Sequence, residues 1–110
     1  MKLKADIRIQ RFEVPALHAW LDNFAEGWVY WGSATALELS PERTRQIVVA
    51  NNEFAERSKE QGNSHLYSTI QVVLPNEQAA MLVKLTWPSA TVERPSESAG
   101  TIGEQIVRNG

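Results

Sequence analysis

The 110-residue chain has 11 basic and 13 acidic side chains, two histidines and no cysteine, for a formal net charge of −2. This length suits a single domain, and the lack of cysteine excludes disulfide scaffolds and cysteine-ligated zinc or iron–sulfur sites. The small net charge argues against a general nucleic-acid binder, whose affinity depends on many basic side chains, and against a polyanionic DNA mimic.

The first strand and the first helix are predicted by their apolar spacing. Leu3, Ala5, Ile7 and Ile9 alternate with polar residues, which is typical of a strand with one wet face. Pro15 suits the first turn of a helix, and Gly27 is suited to end it. Between them the apolar residues recur at the helical spacing i, i+3, i+4, i+7: Leu17, Trp20, Leu21 and Phe24.

Residues 28–39 are predicted to form a hairpin. Gly32 and Ser33 fit a two-residue turn with glycine at its first central position. In that register Trp28 lies opposite Leu37, and Tyr30 lies opposite Thr35. The alternative is a first helix that continues to Trp31.

A second helix and a second hairpin follow. Ser40 is a favoured cap and Pro41 a favoured first helical residue, so we expect a helix from Pro41 to about Gln61. Residues 65–74 and 79–87 then align as a hairpin around residues 75–78, with apolar residues paired on one face. Residues 76–82 also have good helix propensity, which leaves a helix as the alternative for the last element.

Together these elements predict an α+β domain. Its order is β-α-β-β-α-β-β, with an antiparallel sheet of about five strands and two helices packed on one face. From Pro88 onward the sequence is rich in Pro, Ser and Gly, so we expect residues 1–88 to form the domain and residues 89–110 a flexible tail. The N-terminus resembles neither a signal peptide nor an anchor, which predicts a cytoplasmic protein without membrane contact.

The chain shows no catalytic or metal-binding constellation. Only His18 and His65 could serve a nucleophile as base, and neither lies in a recognised nucleophile motif. His18 and Asp22 are one helical turn apart, but the third ligand and flanking glutamate of a zinc-protease helix are missing. We therefore expect a protein that is not an enzyme and that has neither a metal nor a cofactor.

The aromatic and charge distribution predicts the binding surface. Trp28, Tyr30 and Trp31 fall within four residues, so burying all three is difficult, and residues 13–39 hold four acidic side chains and no basic one. Exposed Trp and Tyr are favoured interface anchors, and the acidic setting suits a basic partner surface. The predicted partner-binding residues are Trp28, Tyr30, Trp31, Asp22 and Glu26.

These observations favour a small non-catalytic protein that binds another protein or protein complex as an inhibitor, adaptor or accessory subunit. Such a featureless sequence is typical of small proteins with which phages and mobile elements inhibit host systems, and a homodimer is compatible with it. The alternative is nucleic-acid binding, less favoured by the net charge. It would use the basic residues of the first strand, with stacking on exposed aromatic rings: Lys2, Lys4, Arg8 and Arg11.

Overall fold

The computed structural model describes residues 2–32 and 37–93 as an α+β fold. The strands are β1 (Leu3–Gln10), β2 (Val29–Gly32), β3 (Leu37–Glu38), β4 (Tyr67–Leu74) and β5 (Thr91–Glu93). The helices are α1 (Val14–Phe24), α2 (Pro41–Glu60) and α3 (Glu77–Thr86), and a 3-10 turn (Arg11–Glu13) leads into α1. The strands form one antiparallel sheet in the order β3-β2-β4-β1-β5, which confirms the predicted fold class and strand number.

The core lies against one face of this sheet. The apolar residues of β1 are buried, and the register with β4 sets Leu3 opposite Leu74, Ala5 opposite Val72 and Ile7 opposite Ile70. Buried apolar residues from the three helices belong to the same cluster: Val14, Leu17, Leu21, Ala55, Ala79, Ala80 and Val83. We call this the core face. The opposite, outer face carries the alternating polar residues of β1.

Both predicted helix starts are confirmed. Pro15 lies in the first turn of α1. The Ser40 hydroxyl accepts a hydrogen bond from the Arg43 amide at 3.1 Å, which caps α2. After α1, Gly27 adopts a φ of +96°, in the left-handed region that glycine tolerates best.

The first hairpin forms in a different register. Trp31 lies opposite Glu38 and Gly32 opposite Leu37, so the predicted pairing of Trp28 with Leu37 and the two-residue turn at Gly32 are wrong. The Leu39 amide donates to the Tyr30 carbonyl at 2.8 Å, and Leu39 packs against the core, so burial selects this register. Ser33 and Thr35 lie outside the described residues. The alternative of a continued helix is also wrong, because α1 ends at Phe24.

The second hairpin does not form, because its predicted second strand is helix α3. The Asn76 side-chain oxygen accepts a hydrogen bond from the Ala79 amide at 2.9 Å and caps this helix. Ala79, Ala80 and Val83 then reach the core at helical spacing. The side-chain cap and the helix propensity of these residues therefore favour a helix, despite their strand-like alternation of apolar residues. The observed order of elements is β-α-β-β-α-β-α-β, with three helices.

Strand β5 supplies the fifth strand. Val92 pairs with Ala5 of β1, and Ala90 just before it is buried. These residues belong to the segment predicted as a flexible tail, so the domain extends past the predicted boundary at residue 88. Residues 94–110 lie outside the described part of the chain.

Candidate functional site

The three clustered aromatic residues are divided between the two faces of the sheet. Trp28 and Tyr30 belong to the core cluster and are only 7% and 6% exposed. Trp31 has the opposite side-chain direction, because successive residues of a strand alternate, and is half-buried on the outer face. Trp31 is thus the most exposed member of the cluster, although its indole nitrogen is buried.

Tyr30 is held in a buried hydrogen-bond network with α1 and α2. His18 Nε2 lies 2.5 Å from the Tyr30 hydroxyl oxygen, and His18 Nδ1 lies 2.7 Å from the side-chain oxygen of Asn52. Asn51 Nδ2 donates to the Tyr30 oxygen at 2.9 Å. Because the Asn52 oxygen only accepts, His18 carries its hydrogen on Nδ1, and the Tyr30 hydroxyl donates to Nε2.

Burial favours the uncharged form of both ionisable rings in this network. Burial lowers the pKa of His18, with opposing contributions from the Asn52 hydrogen bond and the Asp22 carboxylate. Burial also raises the pKa of Tyr30 to about 12, which the Asn51 hydrogen bond partly opposes. His18 is only 2% exposed, so these two groups are enclosed within the fold and join α1, α2 and β2.

Trp28 and Asp22 lie on the helical side of the molecule. The Trp28 indole donates to the Asp22 carboxylate at 2.9 Å and stacks on His18 with ring centroids 5.7 Å apart. Both residues, together with Arg45, line a cleft of about 230 Å³ next to α2. Glu26 is exposed just beyond the end of α1. The structure therefore places Asp22 with Trp28 on the helical side, whereas Trp31 lies on the outer face of the sheet.

On the outer face, basic residues of β1 lie over aromatic rings. Lys4 Nζ is 4.4 Å from the centroid of a Trp31 ring, and Arg8 Cζ is 4.7 Å from that of Tyr67. Lys2 forms an ion pair of 2.8 Å with Glu38, the residue opposite Trp31 in the sheet. These contacts make one surface, which we call the Trp31 face: Lys2, Lys4, Trp31 and Glu38.

The predicted nucleic-acid residues do not form one basic strip. Lys2, Lys4 and Arg8 share the outer face with three carboxylates, those of Asp6, Glu38 and Glu93. Arg11 instead lies in the turn after β1, with its Cζ 4.8 Å from the Phe54 ring of α2. The outer face is therefore of mixed charge.

A second aromatic cluster was not predicted. Trp20 contacts Phe24 and Trp87, with ring centroids 5.1 and 4.9 Å apart, and Phe24 is 54% exposed.

Met81 and Leu85 of α3 are also exposed, one helical turn apart. The i, i+4 spacing of Met81 and Leu85 could have indicated one exposed helix face. The predicted hairpin instead placed both residues on the apolar face of a strand.

Within the described residues, no group of three or more His, Asp or Glu side chains could hold a metal ion. The same part of the chain contains no helix with the length and apolarity needed to span a bilayer. Comparison with protein-family models, curated proteins and solved structures found no match for this chain.

Proposed function

We propose that this is a non-catalytic binding protein that attaches to another protein through the Trp31 face. The observation that carries the proposal is the position of Trp31, half-buried in the sheet and in contact with Lys4. A tryptophan held by its neighbours loses little rotamer freedom on binding while it contributes a large contact area. Such residues are the usual energetic anchors of protein interfaces.

The charges around Trp31 support a protein as the partner. Lys2, Lys4 and Glu38 place both signs beside the ring, and the rest of the outer face adds both signs again. A surface with charges of both signs can complement a mixed-charge surface on a partner protein, which fixes the orientation of the two proteins. A nucleic-acid backbone, by contrast, favours a surface with positive charges only. A role as inhibitor, adaptor or accessory subunit of a cytoplasmic complex needs only such a surface.

The enclosed network supports a role without catalysis. General acid–base chemistry requires a group within hydrogen-bond reach of a substrate. His18 and Tyr30 are both buried and are each other's hydrogen-bond partners, so they act inside the fold.

The proposal is tested by affinity capture with matched variants. The full chain is immobilised and exposed to a lysate of its source cell, beside Trp31→Ala and Lys4→Glu. Leu85→Ser and Lys59→Glu serve as controls, because these residues are exposed on α3 and α2. Circular dichroism establishes that each variant is folded.

We expect a protein that is retained by the wild type and both controls and is reduced about tenfold or more by each Trp31-face variant, since tenfold corresponds to about 1.4 kcal/mol. Equal capture by all variants would contradict the proposal. Loss with Leu85→Ser alone would move the interface to α3 and also contradict it.

A second candidate function is nucleic-acid binding through the outer face. It is favoured by one observation: Lys4 and Arg8 lie over Trp31 and Tyr67, so cations and stacking surfaces are adjacent. Fluorescence anisotropy with labelled single- and double-stranded DNA and RNA tests it at about 50 mM salt. This function requires affinity that falls steeply with salt, and no binding at that concentration excludes it.

A further inference from the structure

A cleft opens where the sheet separates beside Arg11. β2 pairs with β4 only at Val29 with Val73 and Tyr30 with Val72, whereas β1 pairs with β4 along its full length. Within the described residues, the first half of β4 therefore has a paired strand on one side only. The cleft lies at this unpaired edge, between β4 and α2, and has a volume of about 270 Å³.

The polar residues that line this cleft are one cation and three neutral groups. Arg11 is the one charged residue among the described residues that line it, and the neutral polar groups are those of Asn51, Ser68 and Thr69. Asn51 Nδ2 donates one hydrogen to Tyr30 and carries a second. The Ser68 side chain is on the core face, opposite Ile9, so its hydroxyl can donate as well, whereas the Thr69 side chain is on the outer face. Hydrogen-bond donors and no carboxylate are thus found among the described residues that line this space.

Arg11 itself lacks the partners that a guanidinium normally has. It forms no ion pair with any described residue, and its Nε is buried without a hydrogen-bond partner. A buried donor without a partner is costly, and a planar oxyanion is the group that a guanidinium binds best. The Phe54 ring, 4.8 Å from Arg11 Cζ, restricts where the guanidinium can lie.

The rest of the lining is apolar. Phe54 and Ile70 offer an aromatic and an aliphatic surface in the same cleft. A volume of about 270 Å³ is just below the range of about 300 to 1,000 Å³ found for ligand pockets, so the matching ligand is small.

We propose that this cleft binds a small organic oxyanion, a carboxylate or phosphate attached to an aromatic or aliphatic group. The Arg11 guanidinium binds the oxyanion, and the hydroxyl of Ser68, whose side chain is on the core face with Ile9 opposite it, supplies a further hydrogen bond. The apolar part of the ligand packs on Phe54 and Ile70. The site is separate from the Trp31 face, and its existence does not depend on the proposed partner binding.

The test uses the full chain and three probes: benzoate, phenyl phosphate and the neutral benzyl alcohol. Binding is followed by thermal shift and by amide chemical shifts in NMR titrations. We expect saturable binding of benzoate, phenyl phosphate or both, with dissociation constants in roughly the millimolar range. The responding amides are expected at residues 54 and 68–70, and the stronger anion identifies a carboxylate or a phosphate as the preferred group.

Arg11→Gln is expected to weaken anion binding about tenfold or more. Arg8→Gln is the matched control: it removes one positive charge from the outer face, and we expect it to bind the anions as the wild type does. Should Arg11→Gln fail to fold, Ser68→Ala replaces it, because it removes the hydroxyl of a cleft residue that is not fully buried. A several-fold loss of anion affinity is expected.

Four results would overturn the site: no saturable binding of either anion, equal binding of benzyl alcohol, shifts confined to other residues, or affinity unchanged in the cleft variant.

Discussion

The buried His18 predicts a specific loss of stability in mild acid. Its pKa is lowered in the folded protein because burial disfavours the imidazolium. A second ring hydrogen on Nε2 would also reverse the hydrogen bond with the Tyr30 hydroxyl, which in the neutral network donates to Nε2. If Nε2 were protonated, it would face the Tyr30 hydroxyl, whose own hydrogen would then lose its acceptor. The unfolded chain has no such constraint and takes up the proton near the ordinary pKa of about 6.5.

The sign and size of the effect follow from this difference. Above pH 6.5 both states hold neutral His18, so its contribution to the free energy of unfolding is constant. Below that pH the unfolded state binds the proton first, and stability falls until the folded pKa is passed. From about pH 7.5 to 5.5 the loss is at most about 1.4 kcal/mol, the value when the folded ring takes up no proton in this range.

The assay is urea unfolding at several pH values in this interval. Carboxylates titrate mainly near pH 4, so they contribute little here. His18→Phe retains a ring next to Trp28 but cannot titrate, and we expect its stability to be lower throughout and flatter with pH. His65→Gln is the control, because His65 is exposed, and it should keep the wild-type slope. Equal slopes for wild type and His18→Phe would refute this account of the network.

Three further predictions concern individual residues. In a Tyr67→Phe background, where Tyr30 is the remaining tyrosine, ultraviolet titration should show phenolate only at about pH 12, and ionisation near pH 10 would contradict the burial of the ring. Asn76→Ala removes the α3 cap on the Ala79 amide and should lower the free energy of unfolding in urea by about 1 kcal/mol; no change would argue against this helix start. Gly27→Ala should lower the free energy of unfolding in urea by about 1 to 2 kcal/mol, because alanine disfavours the positive φ of this position. The added Cβ would make only an ordinary van der Waals contact, so backbone strain is the whole cost. Gly27→Asn should lower it less, because asparagine tolerates this conformation better.

Local signals in the sequence were sufficient for much of the fold. The alternation in β1 predicted its buried face, and Ser40 with Pro41 predicted the start of α2, because each signal depends on neighbours in the chain. The secondary structure of residues 79–87 was harder to predict from the sequence, because two apolar patterns overlap there. Met81, Val83 and Leu85 have the spacing of a strand. Ala79, Ala80 and Val83 have the spacing of a helix. Asn76 was the deciding residue, because its side chain caps the helix.

The candidate site was less predictable, because it depends on contacts distant in sequence. The cluster of Trp28, Tyr30 and Trp31 was visible, but the burial of Tyr30 depends on His18 and Asn51, which lie on other elements. The position of Lys4 over Trp31 depends on the pairing of β1, β4 and β2. Sequence alone could name the aromatic residues but could not identify Trp31 as the most exposed of them.

The central claim, that Trp31 anchors a protein partner, is tested most directly by the dissociation constant of the captured partner. Isothermal titration calorimetry would compare wild type and folded Trp31→Ala with the purified partner. An interface anchor predicts a rise of about tenfold or more in Kd, equivalent to about 1.4 kcal/mol or more. A Kd that is unchanged within about twofold, a difference of about 0.4 kcal/mol, would contradict the claim.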